Sequence, residues 1–167
     1  MLFWNIGAEG QLAMGALATA WIPLFVLNDS SLPPGVLLLI MGVAAFGAGA
    51  IWGLIPAALK AYLRVNEIIT TLLLNYVAIY WVEYLVHGPW RDPVNLNFPL
   101  SAPFSSAARL PSLFGTRIHL GLVFALVAAG LIWFALGRTK WGYEVTVIGE
   151  NPRAARYAGM NIERSIV

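Results

Sequence analysis

Residues 34–59 read PGVLLLIMGVAAFGAGAIWGLIPAAL, and this stretch decides the fold class. It carries no charged residue and exceeds the ~20 apolar residues an α-helix needs to cross a bilayer. Three further apolar runs of spanning size flank it: Gln11–Leu27, Ile68–Val86 and Ile118–Leu136. Gln11–Leu27 is short for a span, so its helix is expected to begin upstream. Of the 167 residues 59% are hydrophobic and 11% charged, against about 25% charged in a soluble domain. A water-soluble globule is excluded. The expected fold is all-α: a polytopic helical membrane protein of about four transmembrane helices in one region, residues 1–167. Four spans with their loops fill the chain, which is short for a complete transporter.

The remaining composition narrows the function. A net charge of +2 is too small a surplus for a nucleic-acid partner. The absence of Cys removes disulfides, thiolate metal sites and cysteine nucleophiles. His87 and His119 have no second ligand at metal-binding spacing, so no metal site is expected. No Lys or Arg precedes Lys60, so the basic start of a secretory leader is missing.

Charges in the connections set an orientation, because cytoplasmic loops are enriched in Lys and Arg. The loop from Asn28 to Pro33 has neither and is placed outside, whereas Lys60 and Arg64 place the next turn inside. Residues 87–117 form an outer loop with Arg91, Arg109 and Arg117; five of the ten prolines fall there, disfavouring a long helix. Residues 137–167, with Arg138, Lys140, Arg153, Arg156 and Arg164, fall inside. Tyr80, Trp81, Tyr84 and Trp90 collect near the outer end of the third span, as an interfacial aromatic belt does.

Four features carry candidate function. Ala45, Gly49, Gly53 and Ala57 recur every four residues and make a small-residue strip for helix packing. Asn5, Gly7, Glu9, Gly10 and Gln11 stand directly before the first span, and this polar stretch reads either as an interrupted helix presenting backbone groups to a solute or as a capped, solvated tail. In the third span Glu67, Thr71, Asn75, Ala78 and Val82 share one face at about 100° per residue. Asn75 there belongs either to a path-lining stripe or to a hydrogen bond between helices. Asn151-Pro152 opens and Gly159 stops a short helix over 152–158, with Arg153 and Arg156 projecting together and Ala155, Tyr157 and Ala158 offering a small apolar surface. Its partner is either an anionic lipid surface or a cytoplasmic protein with a receiving groove.

The motifs Asn5-Ile-Gly-Ala-Glu-Gly-Gln11, Asn66-Glu-Ile-Ile-Thr-Thr-Leu-Leu-Leu-Asn75-Tyr, Gly88-Pro-Trp-Arg-Asp-Pro93, Trp141-Gly-Tyr-Glu and Gly149-Glu-Asn-Pro-Arg-Ala-Ala-Arg-Tyr-Ala-Gly159 occur in this order. Together they resemble the permease subunits of bacterial ABC importers, in the nucleoside and simple-sugar branch related to the ribose-type permeases. The resemblance covers essentially the whole chain and matches the middle of such a permease. It implies a half-transporter of the bacterial inner membrane, pairing with a second permease subunit, cytoplasmic ATP-binding subunits and a substrate-binding lipoprotein. It further implies a translocation path near Asn5, Glu9, Gln11, Thr71 and Asn75. The ATPase-coupling element would comprise Glu150, Asn151, Pro152, Arg153, Arg156 and Gly159.

No phosphate-binding Gly-x-x-x-x-Gly-Lys-Ser/Thr loop is present, so the chain itself is not expected to bind or hydrolyse ATP. ATP would be bound by the partner, and the chain carries no catalytic residue or cofactor of its own. The alternative is a secondary transporter or channel component without an ATPase. That would want ionisable groups at span depth, and Glu9 and Glu83 both stand near span ends. An intramembrane enzyme would need a paired His, Asp or Cys constellation that the spans do not supply.

Overall fold

The structure is a computed structural model that describes residues 4–27, 32–94, 98–113, 115–116 and 118–162. The readings placed on Asn28, Asp29, Ser30, Ser31, Arg117 and Arg164 lie outside the described residues. Among the described residues six α-helices follow one another: α1 (Ala8–Trp21), α2 (Pro34–Leu63), α3 (Glu67–His87), α4 (Gly121–Arg138), α5 (Lys140–Glu150) and α6 (Pro152–Tyr157). An isolated bridge between Ser112 and His119 is the extended pairing seen among the described residues. Among the described residues three helices, α2, α3 and α4, are long and apolar enough to cross a membrane, against the four spans expected; α1, with 14 residues before its π-helical turn, falls short. This is the all-α, multi-pass architecture that the composition required.

The first apolar run forms α1 and then widens into a π-helical turn, Ile22–Val26. Pro23 is a sufficient cause, because it lacks an N–H and its ring crowds the carbonyl four residues back. Leu27 N–H closes the turn on the Ile22 carbonyl at 2.8 Å. The second run continues past Leu59 to Leu63, so Lys60 lies in the last helical turn rather than in a loop. A cation there faces the negative end of the helix dipole and is stabilising. Arg64, at φ 55°, then reverses the chain. Asn66 caps α3 by accepting from Ile68 N–H at 2.9 Å.

The described residues gather into two bodies, with α2 belonging to one up to Ala57 and to the other from Ala58. In the first body, α1 and α3 run parallel and α2 runs antiparallel to α1. Contacting pairs show the directions: Ile6 with Thr71 and Gly10 with Asn75 keep a constant separation, whereas Gly15 meets Ala45 and Gln11 meets Gly49 and Gly53. A small core joins Ile22, Leu37 and Met41 to Ala108, which a 3-10 turn over Ser106–Ala108 carries in from the proline-rich connection. Trp90 makes a tilted ring contact with Phe25, ring centres 5.3 Å apart, while Tyr80, Trp81 and Tyr84 are exposed.

The second body holds α4, α5 and α6. Helix α4 is apolar all round and buries no residue, the signature of a helix whose flanks face lipid or other helices. A short helix such as α6 is marginal by itself. Here its Ala155 is fully buried and the preceding helix buries Ile148, both at 5% exposure or less.

Candidate functional site

The start of α1 is built by α3. Residues 4–7 are not helical, and Gly7, at the cap position, has no side chain to satisfy the first free N–H groups of the helix. Asn75 supplies the missing cap from across the helix pair. Its Oδ1 accepts from Gly10 N–H at 2.7 Å, and its Nδ2 donates to the Ile6 carbonyl at 2.7 Å. One turn earlier, the Thr71 hydroxyl accepts from Ile6 N–H at 3.2 Å and donates to the Glu67 carbonyl at 2.7 Å. Asn5 closes the segment on itself, its Oδ1 taking Gly7 N–H at 2.7 Å. The polar stretch is thus a bonded element rather than a solvated tail.

Both glycines are needed for this approach. A β-carbon on Gly7 would stand 3.0 Å from Thr71 Cβ, and one on Gly10 2.8 Å from Asn75 Oδ1. Of the residues expected near a path, the structure brings Asn5, Thr71 and Asn75 together, with Thr71 and Asn75 buried and Asn5 exposed. Gln11 points elsewhere, onto α2, where a β-carbon on Gly53 would lie 2.8 Å from its amide nitrogen. Glu9 is exposed. The strip on α2 therefore meets α1 through Ala45, Gly49 and Gly53, while Ala57 is buried further along. Glu67, Thr71, Asn75 and Ala78 are the buried residues of α3, and Val82 is half-buried.

The second cluster is the α5–α6 segment. Thr139 joins α4 to α5 in a single residue: its hydroxyl donates to the Ala135 carbonyl at 2.5 Å and accepts from Gly142 N–H at 3.2 Å. Asn151 caps α6, its Oδ1 accepting from Arg153 and Ala154 N–H, each at 3.1 Å. Such a cap is worth about 1 kcal/mol. At the other end, Gly159 has φ 78°, a conformation that costs glycine little. Gly159 N–H bonds the Arg156 carbonyl at 3.1 Å and Met160 N–H the Ala155 carbonyl at 3.0 Å. That pair of bonds is a Schellman closure. A helix of six residues is therefore locked at both ends.

What α6 displays follows from that locking. Ala155, expected on the outer apolar surface, is instead turned inward and fully buried, because α5 packs on that side. Arg153, Arg156 and Tyr157 are exposed, Tyr157 to 94%. With Pro152 and Ile162 they frame a hollow of about 380 Å³. Glu150 is exposed at the end of α5. The exposed face of α6 thus sets one aromatic ring beside two guanidinium groups.

The model of the family described as branched-chain amino acid transport system, permease component, matches residues 2–167. The chain belongs to this permease family. It is similar to the glucose ABC transporter permease protein TsgB13 of Haloferax volcanii, with 46% identity over 94% of the chain and 43% of the relative. The guanosine ABC transporter permease protein NupP of Bacillus subtilis is 33% identical over 98% of the chain and 46% of its own length. The galactose/methyl galactoside import permease protein MglC of Escherichia coli is 29% identical over 95% and 47% respectively. The permease chain thus spans about half the length of these curated relatives. No solved structure matches it.

Two elements of the permease had only indirect signals in the sequence. Helix α5 was not anticipated; its signal is Thr139 three positions before Gly142, a cap pattern that also ties off α4. The cap on α1 comes from Asn75, 65 positions away, and no local pattern announces it.

Proposed function

We propose that the chain is the membrane-spanning part of an ATP-driven importer that moves a sugar or a nucleoside into the cell by alternating access. The observation that carries this reading is α6, a helix held rigid from behind by α5 and displaying Arg153, Arg156 and Tyr157. A surface of that kind suits a cytoplasmic partner with an acidic, apolar-floored groove, and the ATP-binding subunits of the transporter are the partner proposed. ATP is bound there. Closure of that partner pulls on α6, and the short rigid joint at Thr139 passes the displacement to α4. The remaining partners are a second permease subunit, a substrate-binding lipoprotein and the surrounding bilayer of the plasma membrane.

The solute side of the proposal rests on the α1 entry. Non-helical backbone at membrane depth is tolerated where it is buried in protein or lines a cavity. Residues 4–7 are non-helical, the Ile6 N–H and carbonyl are served by Thr71 and Asn75 of α3, and Asn5 is exposed. The glucose, guanosine and galactose named for the relatives set the class to be tested. Vesicles containing the assembled transporter should accumulate radiolabelled glucose or guanosine only when ATP and the ATP-binding subunits are supplied. Undiminished uptake without those subunits would leave a channel or secondary transporter as the reading.

A further inference from the structure

We propose that Thr71 and Asn75 are positioning residues that hold the non-helical entry of α1 in register with α3, and that the solute meets Asn5 on that entry rather than Thr71 or Asn75. The proposal rests on the transport reading above.

The Asn75 carboxamide is spent on backbone. Its oxygen takes one amide hydrogen, its nitrogen serves one carbonyl, and the residue is 7% exposed. Thr71 is 1% exposed, and its single hydroxyl proton goes to the Glu67 carbonyl. One N–H and one lone pair of Asn75 are left over, but burial closes both side chains to a sugar hydroxyl or the edge of a base. Asn5 does: its oxygen is engaged by Gly7 N–H, yet the residue remains exposed, so the outward part of its amide is presented by the same turn that Asn75 and Thr71 hold. Gly7 and Gly10 admit both α3 side chains at a distance that any β-carbon would prevent. The parallel register means that a displacement of α3 along its axis carries the Asn5 turn with it.

A carboxyl group distinguishes positioning from contact. The protonated acid of an Asn75→Asp variant keeps one acceptor for Gly10 and one donor for Ile6, whereas the carboxylate has acceptors only and opposes the Ile6 carbonyl; burial and that opposing carbonyl raise the carboxyl well above its ordinary range, so that mild acid protonates it. The titratable neighbours on the packed elements are Glu9 of α1 and Glu67 and Tyr76 of α3, and α2 has none over residues 34–57, so every rate is taken relative to wild type at the same pH.

The assay is uptake of radiolabelled glucose and guanosine by the assembled transporter with its ATP-binding subunits. Loss of both bonds should lower the maximal rate of Asn75→Asp about 10-fold or more at a pH of about 7.5, with recovery to within about 3-fold of wild type near pH 5.5. The acid step should restore KM together with the rate, and Asn75→Leu should show the same loss without recovering in acid. Asn5→Ala should raise KM at a largely preserved maximal rate. A changed preference between glucose and guanosine in Asn75→Asp, absence of acid recovery, or a wild-type rate in Asn75→Leu would each overturn the positioning role while wild-type transport stands. Wild-type uptake that needs no ATP-binding subunit would overturn the transport reading and this role with it.

Discussion

Gly142→Leu should leave the chain in the membrane and abolish ATP-driven uptake. Gly142 is buried in the first turn of α5, where its N–H is held by Thr139. A β-carbon at this position would fall inside the Leu136 carbonyl and 2.6 Å from the Leu136 Cα of α4. The obstacle is backbone, which cannot rotate aside as a side chain does. The cost therefore lies at or above the top of the ~1–3 kcal/mol usual for overpacking. Relief comes only by prying α5 from α4, which carries α6 away with it. Limited trypsin digestion reads this directly: cleavage at Arg138 and Lys140 should accelerate about 10-fold or more, as local opening becomes cheap. Gly142→Ala should move in the same direction by a smaller step. An unchanged digestion pattern would show that the α4–α5 corner tolerates the substitution.

Reversing the two arginines of α6 should have an effect of similar size by a different route. In the double variant Arg153→Glu, Arg156→Glu, the Asn151 cap, the Gly159 closure and the buried Ala155 are untouched, so the helix keeps its place. The dipole terms nearly offset, a new anion near the start being favourable and one in the last turn unfavourable, each by about 0.3–1 kcal/mol. What changes is the displayed charge. A surface complementary to two cations would meet two anions, and like-charge juxtaposition across an interface costs several kcal/mol. Co-purification of the ATP-binding subunits should fall about 100-fold or more, with membrane insertion unaffected and with partial retention in the Arg→Lys pair. Undiminished co-purification would place the contact away from α6.

How far the sequence carried this account differs from element to element, for physical reasons. Glu67, Thr71, Asn75 and Ala78 were legible as one face of α3 because helical periodicity is local, and those four are the residues that α3 buries. Helix α6 was legible because its start and stop are encoded in adjacent side chains, Asn151 with Pro152 and then Gly159, and the structure ends it within one residue of the expected limit.

The burial of Ala155 is not legible locally, because it depends on α5, a helix of 11 residues whose own start signal is shared with the end of α4. The uncharged run ends at Leu59, but a charge does not bound a helix: Lys60 is favoured in the last turn, and α2 continues to Leu63. Least legible was the entry of α1. Gly7 leaves a cap position empty, and only the fold brings Asn75 to fill it.

The central claim is that α6 carries the surface that binds the ATP-binding subunits, and the chain is well suited to a direct measurement because it contains no cysteine. A single cysteine in Tyr157→Cys, at a side chain 94% exposed, should, once labelled with a maleimide-linked benzophenone, photo-cross-link to an ATP-binding subunit in the assembled transporter. A cysteine in Phe46→Cys, at an 80% exposed position on α2, should not. The account predicts a cross-linked product of the permease and the ATP-binding subunit from the α6 position alone. A product from Phe46→Cys, or none from Tyr157→Cys while the subunits still co-purify, would contradict it.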